Sequence, residues 1–144
     1  EKYHSSVLTF VEEGKKISAA ALNQSKDGEW SAAFVIHHIA DAEIQFGVRY
    51  ANALCEDNPT IVPFDEEKFP IGLQYEKRSV AISLQSLAAS HAMNYEILKN
   101  ASEEFTNRIL WEGNLNIKVG YLDEEEYLCE SVYQVKVIYQ HQEE

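Results

Sequence analysis

Cysteine is scarce in this sequence of 144 residues, which contains only Cys55 and Cys129. The two lie far apart along the chain and belong to no short-range pairing motif, which excludes a small disulfide-stabilised scaffold. Two isolated thiols are typical of proteins from a reducing compartment. We therefore predict a cytoplasmic protein in which both thiols are free.

Positive charge is also in short supply, since the sequence has 12 lysine and arginine residues, 24 aspartate and glutamate residues and a formal net charge of −12. An acidic protein is repelled by the phosphates of nucleic acids and by anionic lipid surfaces. The sequence also lacks any apolar run near the ~18 residues that a membrane-spanning helix needs. We predict that neither a nucleic acid nor a membrane is a partner.

Proline is confined to one stretch, at Pro59, Pro63 and Pro70. Because proline breaks helices, we predict an irregular connection from Cys55 to Arg78, with a short turn of helix within Pro63–Phe69. Elsewhere, apolar residues recur every three to four positions, as they do on amphipathic helices. The helices predicted from this pattern are Tyr3–Asn23, Ala32–Leu54, Ser79–Asn100 and a last one that starts near Asp123.

Local signals refine this picture. Ser31 is predicted to cap the second helix, and Trp30 before it is predicted to pack in the core. Residues 107–120 are predicted to form another connection, whose extended run is too short to indicate a sheet. Four helices of ~20 residues with one long connection predict an all-α four-helix bundle, formed as a single domain over residues 1–144. The predicted buried faces include Ile44, Ile82 and Met93.

The start of the second helix carries the most specific motif, WSAAFVIHHIADAE at residues Trp30–Glu43. This stretch resembles the signature of the DinB superfamily, in which Trp-Ser opens the helix and His-hydrophobe-x-Asp-x-Glu follows. The later segment VPFDEE, at Val62–Glu67, is similar to the proline and "FDE" segment of the same family. The elements that match are Trp30, Ser31, Val35, His38, Asp41 and Glu43.

The resemblance implies an up-down-down-up bundle of the DinB/YfiT-like kind, with a divalent metal bound by three histidines. The ligand on the second helix matches His38. The other two ligands form an H-x-x-x-H pair on the last helix, and the first of them matches His141. The second would fall at position 145, so we expect the domain to continue beyond Glu144.

Other interpretations of these side chains stay open. His38 is alternatively a core histidine bonded to Asp41 or to a backbone carbonyl, and His141 a surface histidine at a fraying helix end. Asp41 lies one turn after His38, where a carboxylate suits the role of orienting a metal-binding ring. His37 is predicted to face solvent or to pair with Asp41. His91 is a candidate replacement ligand without support from a motif.

Three neutral imidazoles would leave one position of a zinc ion open, as in catalytic zinc sites, and nickel accepts the same ligands. The resemblance implies, as the leading function, a metal-dependent S-transferase that joins a small cytosolic thiol to a small-molecule electrophile. One alternative is a metal-dependent hydrolase of the YfiT-like type. The other is a non-catalytic helical stress or binding module without metal. A homodimer is compatible with each of these functions.

Overall fold

The computed structural model describes residues 2–26, 28–57, 60, 64–101, 109–112 and 115–118. Most of these residues are helical, as predicted. The last predicted helix, from Asp123, lies outside the described residues. The helices are α1 (Lys2–Lys16), α2 (Ala19–Leu22), α3 (Ala32–Cys55), α4 (Lys68–Gly72) and α5 (Val80–Asn100), and the strands are β1 (Ile109–Glu112) and β2 (Leu115–Lys118).

The first predicted helix is divided in two. α1 ends at Lys16, and α2 begins at Ala19 after Ser18, which has an extended backbone. The Ser18 hydroxyl accepts a hydrogen bond from the backbone N–H of Ala21 (3.3 Å), so it caps α2. The prediction of one continuous helix was wrong because the apolar spacing continues across a position at which this local cap starts a new helix.

The longer helix α3 begins where the sequence predicts, and α5 begins at Val80, one residue after the predicted start at Ser79. The hydroxyl of Ser31 accepts a hydrogen bond from the N–H of Phe34 (3.3 Å), and the hydroxyl of Ser79 accepts one from the N–H of Ile82 (3.4 Å). Each serine therefore satisfies a backbone donor that the first turn leaves without a partner. α3 ends at Cys55, one residue beyond the predicted end.

The connection between α3 and α5 contains more structure than predicted. The carboxylate of Asp65 accepts hydrogen bonds from the backbone N–H groups of Glu67 (3.0 Å) and Lys68 (3.1 Å), and α4 starts there. A 3-10 turn over Tyr75–Lys77 follows Gln74, which has a left-handed backbone with φ of 50°. The short helical turn therefore lies a few residues later than the sequence predicts.

The chain divides into two compact units. The first unit comprises Glu1–Gln45 and Phe64–Met93, and the second comprises Phe46–Pro63 and Asn94–Glu144. The prediction of a single domain over residues 1–144 stays a prediction.

Within the first unit, α3 and α5 run in the same direction. His37 of α3 contacts Ser83 of α5, and Glu43 contacts His91 further along both helices. Two neighbouring helices with the same direction need a long crossover connection, which is a known variant of helical bundles. The long segment between α3 and α5 supplies it, in agreement with the predicted order.

α1 runs in the opposite direction to α5 within the first unit. His4, near the start of α1, contacts His91, whereas Gly14, near its end, approaches Leu84 and Ile36. A Cβ atom at Gly14 would lie 2.9 Å from a methyl carbon of Leu84. Glycine therefore lets the end of α1 come close to α5.

The second unit contains a two-stranded antiparallel sheet that the sequence did not predict. β1 pairs with β2 antiparallel, from Ile109 opposite Lys118 to Glu112 opposite Leu115. In the same unit, the rings of Phe46 and Tyr50 stack with centroids 6.3 Å apart.

Several predictions of burial were wrong. Ile44, Ile82 and Met93 are exposed, and so is Trp30, which was expected in the core. Helical spacing identifies a face of a helix, but it does not say how far along the helix the neighbouring elements cover that face. Cys55 is an exposed free thiol, as predicted, and Cys129 lies outside the described residues. No helix among the described ranges is long and apolar enough to cross a bilayer.

Candidate metal centre

His38 is a completely buried histidine on α3. Neither of its ring nitrogens has a hydrogen-bond partner within the described part of the chain. A buried polar group without a partner costs about 1–3 kcal/mol, so an imidazole in this state is suited to binding something else. Neutral imidazole is the commonest metal ligand among protein side chains, and His38 therefore fits the role that its motif implies.

Aromatic rings surround His38. The ring of Trp30 lies edge-on to it with centroids 5.1 Å apart, and the ring of Phe64 lies 5.7 Å away. Phe64 in turn contacts Phe69, with centroids 5.0 Å apart. Trp30 precedes the cap of α3 and Phe64 precedes α4, so the segments before two helices bring these rings to His38.

Burial lowers the pKa of His38, while the negative charges of Glu66 and Asp41 oppose this shift. The ring is therefore neutral near pH 7. Because a metal binds the neutral form of imidazole, His38 need not release a proton before it binds a metal at that pH.

Asp41 lies one turn after His38, and its carboxylate is bound by two other residues. The Tyr75 hydroxyl donates to Oδ2 (2.6 Å), and the Arg78 guanidinium donates to Oδ2 (2.9 Å) and approaches Oδ1 (2.7 Å). The expected hydrogen bond from His38 to Asp41 is not formed, because both ring nitrogens of His38 lack partners among the described residues. The negative charge of Asp41 instead raises the pKa of His38, against the lowering that burial causes.

The neighbours of Asp41 are held in their protonated forms. Burial raises the pKa of Tyr75, and its hydrogen bond to Asp41 raises it further. The hydrogen bond to Asp41 raises the pKa of Arg78. Arg78 therefore stays a cation and compensates the charge of the buried carboxylate. The prediction that Asp41 orients the ring of a metal ligand stays a prediction.

His37 is buried, so the prediction that it faces solvent or pairs with Asp41 was wrong. Its Nδ1 atom lies 2.8 Å from the hydroxyl of Ser83 on α5. The error has a simple cause: every residue of α3 from Val35 to Glu43 is buried, so this stretch has no solvent-facing side. Burial lowers the pKa of His37, and the charge of Arg78 lowers it further.

His91 belongs to a second polar chain, which joins α1, α3 and α5. Its Nδ1 atom lies 3.2 Å from Oε1 of Glu43, and its Nε2 atom lies 3.0 Å from Nδ1 of His4. A carboxylate can only accept hydrogen bonds, so Nδ1 of His91 is the donor to Glu43. With both nitrogens occupied in this way, His91 does not present a free nitrogen to a metal. It is a weaker candidate for a replacement ligand than its sequence position suggested.

His141, the second predicted ligand, lies outside the described residues. Among the residues that the structure describes, no group of three histidine, cysteine, aspartate or glutamate side chains is arranged to hold a metal. His38 is the predicted ligand whose position the structure describes.

Sequence reasoning missed three partners in this region, namely Tyr75, Arg78 and Ser83. Each lies more than 30 residues from the α3 side chain to which it binds, so no local pattern connects the two. Tyr75 lies in the 3-10 turn and Arg78 directly follows it.

Comparison with known proteins supports the resemblance. The sequence profile of the DinB superfamily matches residues 11–122 of this chain. A "Putative metal-dependent hydrolase" of Geobacillus thermodenitrificans is 31% identical over 85 residues, which are 59% of this chain and 48% of that protein. A protein of the same description from Bacillus cereus is 39% identical over 64 residues, which are 44% of this chain and 36% of that protein. The chain thus spans about half the length, or less, of the curated relatives that it matches.

A solved structure confirms the fold. The chain resembles YfiT from Bacillus subtilis, described as a probable metal-dependent hydrolase with an unusual four-helix bundle topology. The TM-score is 0.77 at 20% identity, over 96% of this chain and 81% of that one. The prediction of a helical, four-helix bundle fold is confirmed by this likeness.

Proposed function

Since this chain belongs to the DinB superfamily, we propose that it is a divalent-metal-dependent hydrolase in which His38 is one metal ligand. The observation that carries the proposal is the buried imidazole of His38, whose two ring nitrogens have no partner among the described residues. The names of the curated relatives support hydrolysis over the other predicted functions.

His38 and His141 would hold the metal. A divalent metal with an open position polarises a carbonyl group and lowers the pKa of a water molecule. Zinc and nickel both suit imidazole ligands, so either is a candidate.

The residues around His38 prepare the site for that chemistry. Trp30 and Phe64 contact the imidazole, which is completely buried and so shielded from bulk water. Water exclusion strengthens electrostatic interactions, which is why catalytic metals are often held in such surroundings. Asp41 contributes negative charge close to His38 while Tyr75 and Arg78 hold its carboxylate in place.

Elemental analysis of the purified full-length protein tests the metal site. The wild type and His38→Ala are compared with His91→Ala, which removes another completely buried histidine. We expect about one equivalent of metal in the wild type and in His91→Ala, and its loss from His38→Ala. Circular dichroism shows whether each variant keeps its helices. A folded wild type without metal would leave the non-catalytic helical module as the remaining interpretation.

Activity assays then separate the two predicted reactions. The metal-loaded protein is mixed with a neutral aryl amide or ester, with and without a small thiol. A hydrolase releases the acid without the thiol, and a chelator stops the release. The S-transferase predicted from the sequence would instead form a thiol conjugate and need the thiol for turnover. Conjugation without hydrolysis would contradict our proposal.

A further inference from the structure

Trp30 contacts the buried His38 and is itself partly exposed to solvent. Its ring lies 5.1 Å from the His38 ring, yet 39% of the residue is exposed. Phe64, the other ring in contact with His38, is buried. Of the described rings that contact His38, Trp30 is therefore the one that a molecule arriving from solvent would also meet.

Trp30 is held in this position from two sides. Its ring meets the Phe34 ring at an angle of 62°, with centroids 5.6 Å apart, and it meets His38 at 66°. Phe34 rests in turn on the buried Tyr75, 5.1 Å away. Edge-to-face contacts of this kind are favourable and restrict the orientation of the rings. The exposed part of the indole is therefore a preformed apolar surface beside His38, the candidate metal ligand.

Within the described part of the chain, the charges that affect the pKa of His38 are negative. They belong to Glu66, which is exposed, and to Asp41, which is buried. Arg78 is a nearby cation, but it is paired with Asp41 through both carboxylate oxygens. An anionic substrate would be repelled by Glu66 and would have to compete with Asp41 for Arg78.

We infer that Trp30 is a specificity-determining residue, and that the substrate is a neutral amide or ester with an aromatic or large apolar group that packs on the exposed indole. This inference rests on the proposed function, because it places the reacting carbonyl at a metal held by His38. It extends that function by naming the class of substrate and the side chain that selects it.

Hydroxamates test the inference without turnover. Benzohydroxamate and acetohydroxamate chelate a metal through the same group and differ in the phenyl ring, so the ratio of their dissociation constants cancels changes in the metal site. We expect the metal-loaded full-length wild type to bind benzohydroxamate about tenfold more tightly, by calorimetry. The ratio should fall to about one or two in Trp30→Ala and stay high in Trp30→Phe. A carboxylate added at the para position of benzohydroxamate should weaken binding.

The second tryptophan provides a matched control and a spectroscopic measurement. Trp111 belongs to β1. Trp111→Phe should keep the wild-type ratio, and the fluorescence of its remaining indole, Trp30, should change when benzohydroxamate binds. The same titration with acetohydroxamate should change the fluorescence less, because a methyl group covers less of the ring.

The outcomes separate this inference from the proposed function. A metal-loaded wild type that binds both hydroxamates equally would overturn the role of Trp30, whether or not any variant folds, and would leave the metal site intact. An unchanged ratio in a folded Trp30→Ala would do the same. A wild type that binds no metal would overturn the proposed function and this inference together.

Discussion

The hydroxyl of Tyr75 donates a 2.6 Å hydrogen bond to the buried carboxylate of Asp41. Tyr75 comes from the 3-10 turn and Asp41 from α3, so this bond joins the long connection to the helix that carries His38. Arg78, the residue directly after this turn, binds the same carboxylate. The connection is therefore attached to α3 one turn away from the candidate ligand.

Tyr75→Phe should reduce the free energy of unfolding by about 1.5–3 kcal/mol, the usual range for a hydrogen bond to a charged group. The phenyl ring keeps the packing against Phe34 and removes only the donor. Urea denaturation measures the change. A double-mutant cycle with Asp41→Ala, which removes the acceptor, separates the Tyr75–Asp41 interaction from other effects of each substitution. Equal losses from Tyr75→Phe in the presence and absence of Asp41→Ala would contradict the assignment.

His38→Phe should stabilise the protein when the metal has been removed with a chelator. The substitution replaces a buried ring that has two unpaired nitrogens with an apolar ring, among the aromatic neighbours Trp30 and Phe64. We expect a gain of about 1–3 kcal/mol in the free energy of unfolding, reduced by any strain from the larger ring.

The matched control for this prediction is His91→Phe. His91 is as buried as His38, but its nitrogens are bonded to Glu43 and His4, so the same substitution should destabilise the protein. Equal destabilisation of both variants would mean that the nitrogens of His38 have partners in solution.

Gly47→Ala should destabilise the second unit. A Cβ atom at Gly47 would lie 2.5 Å from Oδ1 of Asn94, a buried side chain of α5. Overpacking of this kind typically costs about 1–3 kcal/mol. Replacing a glycine inside a helix with alanine stabilises the helix by about 1 kcal/mol, so the variant is less stable overall wherever overpacking costs more than that. Gly72→Ala is the control, because nothing lies within 4 Å of its added carbon. Thermal unfolding of both variants distinguishes a close contact from a general effect of alanine.

Lowering the pH should weaken the contact between His4 of α1 and His91 of α5. Burial, and then the charge of His91, lower the pKa of His4 below its ordinary value of 6.5. The unfolded chain therefore takes up a proton at a higher pH than the folded chain. The stability contributed by neutral His4 is present above about pH 6.5 and is lost as the pH falls towards the lowered pKa.

This prediction is checked with urea midpoints at pH 7.5 and 5.5 in the presence of chelator. The wild type should lose more stability between the two pH values than His4→Gln, because the variant has no imidazole to protonate at that position. If the two proteins lose the same amount, the contact between His4 and His91 does not contribute to the pH dependence.

The helices α3 and α5 could be predicted well because their signals are local. Ser31 and Ser79 mark helix starts by capping chemistry that involves only neighbouring residues. The antiparallel pair of β1 and β2 was missed. Its strands have four residues each, which is too few for periodicity to stand out.

The candidate site was only partly predictable. The motif identified His38, but its spacing could not distinguish a metal ligand from a core histidine bonded to Asp41. In the structure Asp41 is bound by Tyr75 and Arg78, and the nitrogens of His38 are unpaired among the described residues, so the alternative of a bond to Asp41 does not hold. The role of His38 as a metal ligand stays a prediction. His141 stays a prediction from the family resemblance.

The sequence by itself determined the helices, the excess of negative charge and the motif at His38, because each depends on residue type and on spacing along the chain. Only the tertiary structure decided which polar groups are paired. The partners of Asp41, His37 and His91 come from segments distant in sequence, and their choice follows from how the helices pack. The exposure of Trp30 was decided in the same way, because it depends on what covers the ring rather than on the ring itself.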